Sequence, residues 1–591
     1  MSHGSGADST GGSAEARLAR LERARPLLLL LSFAAVSFAV LRGALHGPAV
    51  SDDLVYIVYN PYVWSLSLEN ILAIIDPWSP ATMNTLNYAP VHLLLHALEY
   101  RFFEGHVFGY HVVNVWVHAV NCTLLVALLG RSGLPNRVAL MGGVLFALHP
   151  ANVEAVAWIF QLKTSVALGL CLGALLLQRR HPGLATLTFA LALLTKVTAV
   201  FAIPMAAAFL WTQTNAAQPT QPGSTPPNST QPNRLGAERR QWAWLGVWVG
   251  ALALLAIPEL TAFLGYGMAV EVPEFADPWV QARSIAAIGL RYLVMAVTSF
   301  GVSAFHEPAP TVSAADPWFL ISLPVGALLT WRVILTARQR NPECASWIGA
   351  AAGFAPVSQI FPFSFPMADR YLYFILPGLI GGVLLSGQAI GRSAAWSRQS
   401  AVRREVVERG LRFAGIALAV FFALHSAQRA RLWQDERFLI EDSARHYPEG
   451  GNAAYVEALG ALERDDSEAA LEALGRAVDR GYDRVRFLPL DPRLTSLRGT
   501  PGFVELADRI AVRHIEAGRK RDYSSQLWLR SRALAHRARG EFAEAAELLE
   551  LAIRSEGPLE PALMIGEFMD VQREAAEARR KHPHAVERGR R

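Results

Sequence analysis

Eleven apolar segments of spanning or near-spanning length, spread over residues 26–428, constrain this chain more than any other feature. They lie near 26–45, 108–129, 138–160, 163–178, 183–196, 198–211, 242–264, 317–336, 346–361, 371–391 and 411–428. A bilayer core needs roughly 20 apolar residues per crossing helix, and only helices or closed barrels satisfy their own backbone there. Of the 591 residues, 52% are hydrophobic and 18% charged, with a mean hydropathy of +0.24. Soluble domains average about 25% charged residues. A purely soluble protein, a disordered chain and a disulfide scaffold are therefore excluded. Residues 429–591 are rich in Ala, Arg and Glu and contain no spanning run. The chain reads as a polytopic helical membrane protein with a soluble C-terminal domain.

Direction follows from Lys and Arg in the short loops. Residues 1–25 form a Gly/Ser-rich, then basic tail, with Arg17, Arg20, Arg23 and Arg25 inside, before a retained anchor at 26–45. With 11 spans, the inner loops then carry Arg131 and Arg137, Arg179 and Arg180, Arg234, Arg239 and Arg240, Arg338 and Arg340, and the arginines from Arg392 to Arg412. The outer side carries few cations: Arg101, Lys163, Lys196, Arg283, Arg291 and Arg370. A twelfth candidate, 283–303, is interrupted by Arg283 and Arg291. Were it to cross, Arg338 and Arg340 would move outside, so it is placed as an amphipathic or re-entrant piece of the outer face. The C-terminal domain then also lies outside. The Pro-rich segment 212–241 reads as a disordered inner linker, and its Asn228-Ser229-Thr230 sequon as chance.

The net charge of +5 is largely this topology signal in the membrane half and does not point to nucleic acid. Cys122, Cys171 and Cys344 lie in or beside apolar segments without metal-ligand spacing, so neither a disulfide framework nor a metal site is expected.

Chemistry-bearing residues collect on the outer side. Asp52 and Asp53 follow the first span; a carboxylate at the centre of a spanning helix costs about 2.5–3.5 kcal/mol, and less near the interface. Such a pair could supply a general base, bind a cation or simply cap a helix. The loop from His46 to Val107 is rich in Trp, Tyr and Pro, as interfacial helices are. His111, Asn114, His118 and Asn121 fall within about 80° of one helix face. That stripe would line an interior cavity or a helix contact. His149-Pro150 breaks the third span just before Glu154, and such breaks are tolerated where they line a cavity or kink a helix. Lys163, Lys196 and Arg370 each sit at a membrane boundary, where they could meet an anionic lipid headgroup or snorkel.

In this order the pieces resemble the transmembrane and tetratricopeptide repeat O-mannosyltransferases and their bacterial relatives, within the GT-C glycosyltransferase class. The motifs are Asp52-Asp53 with Asn60, Tyr88-Ala89-Pro90-Val91, Gly109-Tyr110-His111 through His118, His149-Pro150 to Ala157-Trp158, Leu194-Thr195-Lys196, Ala368-Asp369-Arg370-Tyr371-Leu372-Tyr373, and Arg431-Leu432-Trp433-Gln434-Asp435. The likeness covers roughly residues 26–480. Many relatives carry Tyr-Arg-Pro-Leu where this chain has Tyr88-Ala89-Pro90-Val91, and often an Arg where Leu162 stands.

The resemblance implies an all-α, GT-C-type membrane domain with about 11 transmembrane helices and a small tetratricopeptide-like solenoid. It implies a bacterial inner-membrane enzyme that transfers a sugar, mannose by analogy, from a polyprenyl-phosphate donor to a hydroxyl of an acceptor polypeptide outside the membrane. On that reading Asp53 or Asp52 is the base of an inverting transfer. Lys163, Lys196 and Arg370 contact the donor phosphate. His111, Asn114, His118, His149 and Glu154 shape the substrate pocket, and neither cofactor nor metal is required. Two other readings stay open: a non-catalytic membrane-anchored repeat scaffold, and an O-antigen ligase or polymerase.

Residues 429–578 read as the helical domain. Arg539-Gly540-Glu541-Phe542 with Ala545, Leu549 and Ala552 matches half of a tetratricopeptide repeat, and Gly460 with Ala470, Leu474 and Ala477 matches another. Leu488-Pro489-Leu490-Asp491-Pro492 resembles a connector, and 579–591 a basic disordered tail. The domain would bind the acceptor polypeptide or act as a cap.

Overall fold

The computed structural model describes residues 9–58, 60–85, 87–213, 231–265, 272–362, 365–482, 491–497, 500–506, 509–510, 529–530, 532–534, 536–537, 540–554 and 561–581. Among them the chain is all-α, and the lone strand-like feature is a β-bridge between His306 and Met367. The sequon, residues 488–490 of the connector and residues 582–591 of the basic tail lie outside the described residues.

The membrane-domain helices are α1 (Ser9–Leu41), α2 (Leu68–Ile75), α3 (Pro80–Thr85), α4 (Pro90–Phe103), α5 (Val107–Arg131), α6 (Asn136–Leu148), α7 (Asn152–Ala157), α8 (Leu162–Leu177), α9 (Pro182–Thr195), α10 (Ala202–Gln213), α11 (Gln231–Gly265), α12 (Pro278–Thr298), α13 (Pro317–Arg338), α14 (Glu343–Phe354), α15 (Leu372–Gly391), α16 (Ala394–Ser397) and α17 (Ala401–Leu432). Among the described residues eight helices are long and apolar enough to cross a membrane, and three shorter apolar helices accompany them. α1 begins well before the expected anchor, because the Ala-, Glu-, Arg- and Leu-rich stretch before Pro26 is itself strongly helix-forming. The described part of the expected linker, from Gln231, is likewise the start of α11.

Contacts divide the bundle into two ends. At one, Arg131 donates to the Leu176 carbonyl, Gln241 to Arg179, Gln388 to Gly133, and Arg332 pairs with Glu343 at 2.6 Å. At the other lie the end of α1, the break between α6 and α8, the α9–α10 junction and the start of α15. α12 meets length and composition for a crossing helix, yet it contacts this second end along its length. Gln281 donates to the Gln359 carbonyl after α14, Arg283 to Thr311 and Val312 before α13, and Tyr292 to Ala368 before α15. Its last turn accepts from His149, through the Ala296 carbonyl. Both its first and its last turns therefore contact that end. Its two arginines are accommodated there, Arg283 on carbonyls and Arg291 over the Trp318 ring.

Close helix packing relies on small residues. Gly378 of α15 abuts the backbone of Ser346 and Ala350 on α14, where a Cβ would overlap it. After α17 come α18 (Glu436–His446), α19 (Gly451–Leu462) and α20 (Ser467–Asp479), then α21 (Phe542–Arg554) and α22 (Pro561–Lys581). Ala454, Tyr455, Ala458, Ala470, Leu474 and Ala477 form the fully buried seam between α19 and α20. Ala545 and Leu549 are buried in a separate small core with Ala533 and with Val571 of α22, and Ala552 is buried too.

Candidate functional site

The site is built where helices of the membrane domain break. After α1, Ser51 adopts φ 52°, a left-handed conformation uncommon for a residue with a Cβ. The turn sends Asp52 and Asp53 to different surroundings. Asp53 is fully buried: one carboxylate oxygen accepts from Val50 N–H at 2.9 Å and the other from Phe160 N–H at 2.7 Å. Burial pushes its carboxyl up to about 8, against the pull of those two backbone donors and with smaller upward pushes from Asp52 and Glu99. Asp52 is half-buried, and among the described residues no donor holds its carboxylate. Its charge reaches Tyr56, Lys163, Arg370 and Tyr371. Of the two candidate bases, Asp53 is committed to the backbone and Asp52 is available.

Lys163 opens α8 and is 8% exposed. Its ammonium lies 3.8 Å from the Phe160 ring centroid and 5.3 Å from that of Tyr56, a cation–π seat. Lys196, at the break after α9, donates to Thr164 Oγ1 at 2.7 Å and lies 5.7 Å from the Phe374 ring. Among the described residues neither lysine has a carboxylate within ion-pair distance. They feel each other's charge and that of Arg370, so the three cations share one site. Arg370 differs from the lysines. Its guanidinium pairs with Glu154, whose other oxygen accepts the Arg370 backbone N–H at 2.7 Å. Glu154 thus clamps the start of α15 to α7.

The polar stripe on α5 has a different task from the pocket lining expected of it. Asn114 donates to the Trp158 and Ile159 carbonyls, and Asn121 to the Ser165 carbonyl and Tyr373 hydroxyl. His118 bonds the Tyr373 hydroxyl and the Ala147 carbonyl, and His111 the Gly47 carbonyl. His149 uses one ring nitrogen on Ala151 N–H and the other on the Ala296 carbonyl. These groups satisfy backbone exposed by the helix breaks, because a bilayer offers no water to do so. Of the expected pocket residues, Glu154 alone joins the cations.

Two features were missed in the sequence. Glu259 of α11 accepts from Asn87 Nδ2 at 2.6 Å and Tyr88 N–H at 2.7 Å, and it lies within electrostatic range of both lysines. Its signal was plain: it is the one charged residue in the apolar run 242–264, and an ionisable group in such a run marks a site by default. On α4, His92, His96 and Glu99 share a buried face, with His96 and Glu99 2.6 Å apart and the two imidazoles in edge contact. Their i, i+4, i+7 spacing was the signal. Among the described residues no group of three or more His, Cys, Asp or Glu could hold a metal ion.

Fold and site together define a polytopic helical membrane protein whose helix breaks gather an available carboxylate and two lysines that, among the described residues, have no carboxylate within ion-pair distance. The chain is similar to protein O-mannosyl-transferases. It is 35% identical over 188 residues to the Drosophila melanogaster protein O-mannosyl-transferase Tmtc1, covering 29% of this chain and 22% of that one. It is 32% identical over 163 residues to a Caenorhabditis elegans protein O-mannosyl-transferase, covering 26% and 23%. The matched part is thus under a quarter of these relatives' length. An oligosaccharyltransferase of Archaeoglobus fulgidus, solved with a tethered acceptor peptide, aligns over 78% of this chain and 59% of its own at a TM-score of 0.33 and 14% identity. No known family profile matches the sequence.

Proposed function

We propose that this protein is a glycosyltransferase that moves a sugar from a polyprenyl-phosphate donor to a hydroxyl of an acceptor polypeptide. The observation that carries the reading is the pair Lys163 and Lys196, held without carboxylate partners beside the available Asp52. Burying cations with no carboxylate in ion-pair contact is unfavourable, even with Asp52 and Glu259 within electrostatic range. An anionic ligand removes that penalty, and the phosphate of a lipid-linked sugar supplies the charge at the membrane edge. Mannose is the sugar implied by the names of the two matched relatives.

Asp52 takes the proton of the acceptor hydroxyl as its oxygen attacks the anomeric carbon. The bond from that carbon to the phosphate oxygen breaks, and the electron pair leaves with the phosphate. Lys163 and Lys196 meet the charge that grows there, an interaction stronger in the transition state than before it. A single in-line displacement of this kind inverts the anomeric centre. Arg370, already neutralised by Glu154, fixes the wall of the site. With arginines concentrated at the opposite end of the bundle, this end faces outward, and the helical domain beside it receives the acceptor. On this reading the site of a bacterial protein works at the outer face of the inner membrane.

The test is the lipid that co-purifies, together with transfer from a synthetic polyprenyl-phosphate mannose to acceptor peptides. A bound polyprenyl monophosphate hexose, with transfer lost in Asp52→Asn, is the expected result. A lipid diphosphate donor would move the protein to the ligase or polymerase class. Full function of the isolated C-terminal domain would make it a scaffold.

A further inference from the structure

Residues 303–307, between α12 and α13, lie between the membrane domain and the helical domain, and polar groups of Ser303, Phe305, His306 and Glu307 bond partners outside the strap. Ser303 N–H donates to Asp369 Oδ1 at 3.2 Å, and the Ser303 hydroxyl lies 3.3 Å from Asp442 of α18. The Phe305 carbonyl accepts from the Ser443 hydroxyl at 2.9 Å. Glu307 accepts from Gly451 N–H at 3.0 Å, at the start of α19. His306 bridges the two domains with one ring: Nε2 is 2.8 Å from Asp369 Oδ1, and Nδ1 is 2.8 Å from the Tyr447 hydroxyl. A carboxylate can only accept, so the proton belongs on Nε2 and Tyr447 donates to Nδ1. His306 and Asp369 are 4% and 2% exposed. Asp369 and Arg370 share one helical turn, and the next bond in the chain is Arg370 N–H to Glu154.

We propose that His306 is a positioning residue, through which docking of α18 and α19 sets the placement of Arg370 by way of Asp369. An independent tether would need no buried bridge of this kind. A polar network at this depth specifies one arrangement only when each member is satisfied. The bridge has two partners in two domains, so releasing either end removes one of the ties on the same turn, beside those from Ser303, Tyr292 and Glu154. A shift of the helical domain when it takes up a polypeptide is thereby felt at a cation of the site. The inference rests on Arg370 belonging to that site, and it is tested without any assay of transfer.

The experiment is amide hydrogen exchange of the full-length protein in detergent, read at the peptide containing Arg370. In His306→Ala the exchange should rise about tenfold, the equivalent of one hydrogen bond to a charged group. In Tyr447→Phe, which removes one hydroxyl, it should rise about threefold to fivefold. His306→Gln, which can donate to Asp369 and accept from Tyr447, should restore protection. Exchange around Glu343 at the far end of the bundle should not change. Unchanged protection at Arg370 in Tyr447→Phe would overturn the proposal, and so would an equal loss at Glu343, since that reports general loosening. Should His306→Ala not fold, the tyrosine variant carries the test alone.

Discussion

Phe160 donates its backbone N–H to the Asp53 carboxylate at 2.7 Å while its ring lies 3.8 Å from the Lys163 ammonium. One residue thus anchors the loop that carries the candidate base and seats a candidate phosphate contact. This pairing splits the two adjacent aspartates into an anchored one and an available one. The prediction is a kinetic contrast. Asp52→Asn should lower kcat by about 10²–10⁴, the usual value of a positioned base, with little change in thermal stability. Asp53→Ala should lower stability instead, because Val50 and Phe160 N–H groups lose their acceptor, at about 1–3 kcal/mol for each buried donor left unmade. Steady-state transfer and unfolding curves on both variants check it; equal effects on rate and stability would refute the split.

The two lysines, which have no carboxylate within ion-pair distance among the described residues, lead to the second expectation. Lys163→Met and Lys196→Met each remove a positive charge at the loss of one cation–π contact or one hydrogen bond, so stability should fall by no more than about 1–2 kcal/mol. Transfer should fall by about 10²–10³ in kcat, the scale of losing one group aimed at developing charge. Arg370→Met is the control. It strands Glu154 and should destabilise the protein by about 3–5 kcal/mol. If the lysine variants also unfold, the ammonium groups serve the fold and not a ligand.

Asp53 gives a pH dependence with a definite sign. Its carboxyl is pushed by burial from the ordinary 3.8 up to about 8. Between those values the folded chain keeps a proton that the unfolded chain has released, so stability falls as pH rises through this window and levels off above it. The contribution is at most about 1.4 kcal/mol per pH unit. The Tm of the parent minus that of Asp53→Asn, measured from pH 5 to pH 9, should therefore decline toward pH 8. Parallel curves would show that burial does not hold the proton on.

Much of this was legible in the chain. The helical breaks at His149-Pro150 and Lys196, and the cations beside them, stand out because charges are scarce in apolar sequence. The arginine asymmetry led to placing 283–303 on the outer face without crossing, whereas α12 is long and apolar enough to cross. What periodicity could not tell was which polar residues serve chemistry and which serve the backbone. His111, Asn114 and His118 look like a cavity lining on a helical wheel, yet each bonds a group that lies 29 or more residues away, or at Tyr373 more than 250 away. Glu259 was visible as the one charge in its apolar run, but what it holds was not, since its partners Asn87 and Tyr88 lie about 170 residues upstream.

That long-range clasp gives the last prediction. Glu259 holds the segment before α4 to the end of α11 through two short bonds, at 2.6 and 2.7 Å. It is also a carboxylate facing both lysines, so it competes with a donor phosphate for them. The two roles separate by substitution. Glu259→Gln keeps an acceptor for one donor and removes the charge; donor should bind more tightly at low occupancy, with KM falling and kcat unchanged or lower. Glu259→Leu removes both bonds and leaves Asn87 and the Tyr88 N–H unmatched. It should expose residues 87–89 to proteolysis and raise the donor KM as the loop carrying Asp52 loses its support. A Gln variant indistinguishable from Leu in both proteolysis and KM would assign Glu259 to the clasp alone.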